Sequence, residues 1–311
     1  MTALDAVTTR LEQALAPGSV RRNVPSGELT TYRVGGPLAV LVRMDDADAP
    51  AIVGATLGGA DVPVLAIGRG SNLLVADAGF PGVAVTLGDH FSGVAVGADQ
   101  LVLAGAGAAL PVLARQAARE GVAGLEFYVG IPGSVGGAVR MNAGGHGRET
   151  CEVLVDAAVL DLRSGSTTTK RAADLDFAYR RSNVGADALV LSARLQGRPD
   201  DRAECEARID EIVRWRREHQ PGGANAGSVF SNPPGDTAGR LIDAAGLKGL
   251  RVGGAVVSEK HANFILAERG ATAADVRALI EEVRRRVAGG AGVTLATELR
   301  MIGFGGADAT A

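Results

Sequence analysis

The stretch Gly130-Ile131-Pro132-Gly133-Ser134-Val135-Gly136-Gly137-Ala138-Val139-Arg140-Met141-Asn142-Ala143-Gly144 constrains the fold more than any other part of the chain. Glycines without a Cβ let backbone lie against a flat or charged ligand and take up φ > 0 where a turn needs it. Pro132 fixes φ at the entry and donates no N–H. Ser134 to Val139 reads as the start of a short helix whose first N–H groups point at a phosphate. From these residues alone, a tight glycine turn between core elements is an equally good reading.

A second loop points the same way. Val62 to Ile67 is a strand that delivers the chain into Gly68-Arg69-Gly70-Ser71-Asn72-Leu73-Leu74. A glycine loop at a strand end is a phosphate-cradle arrangement. No Gly-Lys-Ser/Thr follows, so it is not a Walker loop. Gly105-Ala106-Gly107-Ala108-Ala109 imitates a dinucleotide fingerprint, but Leu110 occupies the third glycine position.

The other elements are ordinary. Leu4, Val7, Leu11 and Leu15 recur at helical spacing. Leu29 to Pro37 reads as a strand entering a turn, and Ala39 to Val42 as a buried strand. A helix runs from Asp48-Ala49-Pro50 towards Gly58. Val83–Leu87, Val94–Val96 and Leu101–Ala104 read as strands, followed by a helix ending near Glu120. Val153 to Leu162, a turn at Arg163–Ser166, and Thr167–Thr169 form a hairpin. Ala188–Ala193 is a further strand. Arg198-Pro199-Asp200-Asp201 marks a composition shift and a boundary. Beyond it lie a charged amphipathic helix to Glu218, a short helix at Ala238–Ala245, strands at Gly253–Val257 and Asn263–Leu266, and a long helix from Thr272. Val293 to Met301 alternates like a strand, which sets Glu298 and Arg300 on one face.

Composition excludes several functions. A net charge of −3 and 4% aromatics, with no basic block, argue against nucleic acid as a partner. Cys151 and Cys205 form no CxxC, and His90, His146, His219 and His261 form no HExxH, so no metal is expected. The N-terminal helix carries internal charges and no apolar run reaches membrane-spanning length. A cytoplasmic chain with no membrane partner is expected.

Six motifs occurring in order resemble those of the bacterial UDP-N-acetylenolpyruvoylglucosamine reductases, in their compact form. They are Thr30-Thr31-Tyr32-Arg33-Val34-Gly35-Gly36, the Gly68–Leu74 loop, the Gly130–Gly144 stretch, Tyr179-Arg180-Arg181-Ser182, Ala226-Gly227-Ser228-Val229-Phe230-Ser231-Asn232-Pro233, and Thr297-Glu298-Leu299-Arg300-Met301-Ile302-Gly303. Ser258-Glu259-Lys260-His261-Ala262-Asn263-Phe264 also matches, as a substrate-domain segment outside the direct chemistry. Two positions depart from the pattern. Gly145-His146-Gly147 stands where Ala-Tyr-Gly is usual, with His146 read as a surface residue, and Ser231 stands where many members have lysine.

The resemblance implies an α+β chain: a two-subdomain FAD-binding fold of the vanillyl-alcohol-oxidase type, followed by an α/β substrate-binding domain. The divisions are 1–87, 88–198 and 199–304, with a disordered tail at 305–311. It implies FAD as cofactor and NADPH as hydride donor. The enolpyruvyl group of UDP-N-acetylglucosamine enolpyruvate is then reduced to give UDP-N-acetylmuramate for peptidoglycan. It assigns catalysis to Arg180, Ser228 and Glu298. FAD falls to Arg33, Gly68, Gly70, Ser71, Asn72, Leu73, Ile131, Pro132, Gly133, Ser134, Gly137, Ala138, Asn142, Ala143 and Gly144. The sugar nucleotide falls to Tyr179, Arg216, Asn232 and Arg300. A monomer or weak homo-oligomer is expected. Another FAD oxidoreductase acting on an alcohol or sugar, and a non-catalytic flavin-binding module, are the competing readings.

Overall fold

A computed structural model describes residues 2–305. Among the described residues, four hydrophobic cores organise three larger sheets, with three two-stranded pairings beside them.

The first sheet has the order Val20–Pro25, Pro37–Met44, Phe80–Leu87, Val64–Ala66; its first pair is antiparallel and the other two are parallel. Helices α1 (Ala3–Ala14) and α2 (Ala49–Leu57) supply Val7, Leu11, Val53 and Leu57 to a core with Val40, Val42, Met44, Val83 and Val85. Thr2 caps α1 in a reciprocal box with Asp5, which satisfies end N–H groups that the helix itself cannot.

The second sheet is antiparallel throughout, in the order Thr167–Arg171, Leu154–Asp161, Ala188–Gln196, Leu101–Gly105, Val94–Val96. Helices α3 (Leu110–Arg119) and α4 (Val135–Met141) cover it. Leu113, Leu125, Tyr128, Val139, Ala157 and Leu195 fill the core beneath them.

The third sheet has three short antiparallel strands, Arg251–Val252, Ala255–Val257 and Ile265–Ala267. Here α6 (Ala238–Ala244) and α7 (Ala273–Ala291) bury Leu241, Ile242, Val276, Ile280 and Val283 around Phe230 and Met301.

Several sequence-based expectations change. Leu29 to Gly36 is not a strand but turns and irregular chain that follow a 3-10 turn at Ser26–Glu28, while the preceding Val20–Pro25 is the edge strand. Its Arg21-Arg22-Asn23 run faces solvent and hides the alternation; only Val24 is buried. In the stretch from Val293, only Arg300–Ile302 is regular strand, paired in parallel with Leu73–Val75. The burial alternation persists nonetheless, with Leu295, Leu299 and Met301 inside.

The 198/199 division follows composition rather than packing. Helix α5 (Arg202–His219) buries Cys205 and Ile209 in the core of the second sheet. Tyr32 and Leu74 of the first segment sit in the core of the third. The packing requires this, because the charged helix has one narrow apolar stripe and α3 offers the surface it covers. Of the tail expected to be disordered, residues 306–311 lie outside the described residues. Among those described, no helix is long and apolar enough to cross a membrane.

Candidate active site

The two glycine loops face each other across a cleft. A cavity of about 540 Å³ is lined by Gly68–Leu73, Ile131–Ser134, Gly137, Ala138, Ala143 and Gly144, with Tyr179, Arg180, Arg216, Ser228, Asn232, Glu298 and Arg300. A second cavity of about 640 Å³ shares Gly68, Arg69, Ser134, Gly137 and Arg140 with it and adds Thr30 and Arg33. Of the residues expected to contact ligands, the structure therefore gathers all but one around the two cavities.

The exception is Asn142. It is 1% exposed and lines neither cavity. It ends α4 in the left-handed region, and its side chain works internally. The amide nitrogen donates to Glu149 Oε2 at 2.9 Å and to the Ala178 carbonyl at 3.1 Å. Its Oδ1 accepts from Cys151 N at 2.9 Å. Asn142 thus shapes the turn that carries Arg180.

The loops also differ in how much hydrogen-bonding capacity they leave open. At the start of α4, Val135 N donates to Ala108 O, Gly136 N to Ala106 O, and Gly137 N to Ser134 Oγ. The helix N-terminus expected to meet phosphate is therefore already satisfied, because Ser134 bridges to Ala109. By contrast, the N–H groups of Gly68 to Asn72 donate to nothing among the described residues, and all five residues line the cleft. A run of open N–H groups suits an anion.

Glycine is required at Gly70 and keeps Gly68 clear of the Ser134 side chain. A Cβ on Gly68 would lie 2.5 Å from Ser134 Oγ, and Gly70, at φ +61°, would drive a Cβ into the Leu29 carbonyl.

Arg180 sits at φ +56°, an uncommon conformation for a side-chain-bearing residue. Each of its three guanidinium nitrogens has a protein partner, and the group still lines the cavity. Nε lies 3.2 Å from Glu298 Oε1 and Nη1 lies 3.3 Å from Glu149 Oε1. Nη2 donates to the Gly144 carbonyl at 3.0 Å, and the group lies 4.8 Å over the Tyr179 ring. Ser182 of the same motif donates to the Arg140 carbonyl at 2.8 Å and ties the turn to α4.

Glu298 connects three segments. Its N–H donates to the Val229 carbonyl at 2.8 Å, beside Ser228. Its own carbonyl accepts from the Asn72 amide at 3.1 Å. Its carboxylate pairs with Arg180 with only 18% of the side chain exposed. Burial pushes the Glu298 carboxyl above its ordinary value, and Arg180 opposes that rise. The Ser228 loop is fixed from its other side by Asn263. Asn263 Oδ1 accepts from Phe230 N at 2.9 Å and its Nδ2 donates to Phe230 O at 2.8 Å.

The remaining expected contacts are only partly committed. Arg216 Nε donates to Gln220 Oε1 at 2.8 Å, and burial lowers its guanidinium. Asn232 Oδ1 accepts from Ala238 N at 3.0 Å and leaves its amide nitrogen to the cleft. His146 is exposed, edge-on to Trp215, and outside both linings.

Sequence reasoning missed two residues. Arg140 lines both cavities, and burial with the field of Arg300 lowers its guanidinium to about 10. Glu149 grips Arg180 from behind. Both lie in or just after the central glycine stretch, but nothing in residue type distinguished them from surface charges.

A sequence model of FAD-binding domains matches residues 38–169, the span holding both glycine loops. With that match and a run of open N–H groups in the cleft that holds an Arg–Glu pair, the chain is an FAD-dependent oxidoreductase. A second model, the C-terminal domain of UDP-N-acetylenolpyruvoylglucosamine reductase, matches residues 219–302. The chain belongs to the UDP-N-acetylenolpyruvoylglucosamine reductase family. It is 45% identical to that reductase from Erythrobacter litoralis over 92% of this chain and 88% of the relative. It is 47% identical to the reductase from Paramagnetospirillum magneticum, covering 92% and 93%. The crystal structure of the Thermus caldophilus reductase superposes with a TM-score of 0.79 at 37% identity, covering 91% of this chain and 99% of that one.

Proposed function

We propose that this chain reduces the enolpyruvyl double bond of UDP-N-acetylglucosamine enolpyruvate to give UDP-N-acetylmuramate, with NADPH as hydride donor, in the cytoplasm. The observation that carries the reading is the meeting of Arg180, Ser228 and Glu298 in the cleft that both glycine loops line. They come from separate parts of the sequence, and two of them are directly paired.

FAD fits the site: Gly68 to Asn72 offer open N–H groups to a pyrophosphate, and the cavity that both glycine loops line has room for a flat ring. When bound, FAD supplies hydride transfer between NADPH and the enolpyruvyl group. Gly68, Gly70, Ser71, Asn72 and Leu73 form one wall for it, and Ile131, Pro132, Gly133, Ser134, Gly137, Ala138, Ala143 and Gly144 the other. Arg33 serves the second cavity.

The protein's own contribution is electrostatic and acid–base. As hydride reaches the terminal enol-ether carbon, negative charge moves towards the substrate carboxylate. Arg180 is preorganised to receive that carboxylate. Ser228 Oγ gives its proton to the carbon bearing the carboxylate, so hydride and proton together saturate the double bond. Glu298 orients Arg180 and, when protonated, adds no opposing charge. Tyr179, Arg216, Asn232 and Arg300 bind the sugar nucleotide.

The test is spectroscopic. The purified protein is yellow, bleaches with NADPH, and regains colour anaerobically when the enolpyruvyl sugar nucleotide is added. Bleaching without recovery removes the proposed substrate, and rapid reoxidation by oxygen favours an oxidase. Failure to take up FAD overturns the reading at the first glycine loop.

A further inference from the structure

Arg180 is flanked by two carboxylates, and the proposed reaction needs its positive charge. If both carboxylates were ionised, the cluster would be net negative where a substrate carboxylate must bind. The two are not equivalent. Glu149 Oε1 lies 3.3 Å from Arg180 Nη1, while its Oε2 accepts from the Asn142 amide at 2.9 Å. Its main-chain N–H donates to Glu152 Oε1 at 2.7 Å, and Glu152 is itself paired with Arg148. Glu149 is thus fixed at both ends, with 32% of its side chain in contact with water. Glu298 meets Arg180 through one oxygen, is more enclosed, and has no second side-chain donor among the described residues.

We propose that Glu149 is a positioning residue and the standing counter-ion of Arg180, which leaves Glu298 free to hold a proton in the working enzyme. This deepens, and rests on, the reading of Arg180 and Glu298 given above. Glu149 stabilises charged Arg180 from the side away from Glu298, and the carbonyls of Gly144 and Asn142 complete its shell. With Glu298 protonated, the three side chains sum to zero charge before the substrate carboxylate arrives. The charged groups that face Glu298 are Arg180 from the Tyr179–Ser182 turn and, in the same cavity lining, Arg300 and Arg140 of α4. Those around Glu149 are Arg180, Asn142, Cys151 with Sγ 4.0 Å from Oε2, and Glu152 with its partner Arg148.

The experiment is a pH series of single-turnover reoxidation of NADPH-reduced enzyme by the enolpyruvyl sugar nucleotide, in the wild type and in Glu149→Gln. The rate falls at high pH as Glu298 loses its proton. In Glu149→Gln, Arg180 has Glu298 as its only carboxylate partner, so Glu298 ionises more readily. The falling limb should move down by about one pH unit or more, the usual effect of one neighbouring charge. Below the displaced limb the rate should level off, so that the deficit against wild type is largest at high pH.

A uniform loss at every pH with the limb unmoved would mean a merely structural role and overturn the proposal. So would an unchanged profile. If Glu149→Gln does not fold, Glu149→Asp keeps the charge and should keep the limb in place at a reduced rate; a limb displaced downward in that variant also overturns it. Wild-type enzyme that is not reoxidised by this substrate would instead sink the proposed function.

Discussion

The side-chain amide of Asn72 donates to the main-chain carbonyl of Glu298 at 3.1 Å, across 226 positions of sequence. The Arg300 N–H returns a bond to the Asn72 carbonyl at 3.1 Å. Asn72, the fifth residue of the first glycine loop, therefore fixes the height of the carboxylate above the cleft. The pairing Arg300–Ile302 with Leu73–Val75 continues the same contact as a parallel ladder.

Replacing Asn72 with alanine should loosen that tie and leave a half-buried carbonyl unpaired. The cost is about 1–2 kcal/mol of holoprotein stability, read by thermal or urea unfolding. Reoxidation by substrate should slow more than flavin reduction, because only the first depends on Glu298. Equal loss in both half-reactions would contradict this role.

Ser228→Ala should spare bleaching by NADPH and slow recovery of colour by about a hundredfold or more, the usual weight of a positioned proton donor. Stopped-flow absorbance separates the two steps. Survival of both at wild-type rates would remove Ser228 from the chemistry.

The raised Glu298 carboxyl makes a signed prediction about stability. A carboxyl held above its ordinary 4.5 in the fold favours the folded state most fully below that value, and the contribution is lost as pH rises through the folded pKa. Glu298→Gln does not titrate. Its stability relative to wild type should therefore improve as pH is raised from about 4 through the elevated Glu298 value. Melting temperatures of both proteins across that range test the sign; a difference that is flat or falls with pH refutes it.

Asn263→Ala removes two bonds to Phe230 at a buried position. A loss of about 2–3 kcal/mol is expected from urea titration. Because that loop carries Ser228, the proton-transfer step should weaken in parallel. Full stability with normal turnover would show that the loop is held by other contacts.

Much of the architecture is legible in the chain itself. Helix patterns with clear caps, such as Thr2–Asp5 and Thr272–Asp275, appear within two residues of where periodicity sets them. The alternation after Val293 correctly turns Glu298 and Arg300 to one face, because burial period survives even where the ladder does not. The strand at Val20–Pro25 is missed because an edge strand needs only one buried side chain.

By itself, the sequence determined the residue types of the site: glycines where backbone must approach a ligand, and an arginine, a serine and a glutamate in separate recognisable runs. Only the tertiary structure decided how they are used. It consumed the N–H groups of α4 in bonds to Ala106, Ala108 and Ser134, and left those of Gly68 to Asn72 open. It turned Asn142 inward and set Glu149 against Arg180. Local pattern reports which groups are available. Hydrogen-bond saturation and charge pairing depend on partners tens or hundreds of residues away, so they are settled only when the sheets and the last strand come together.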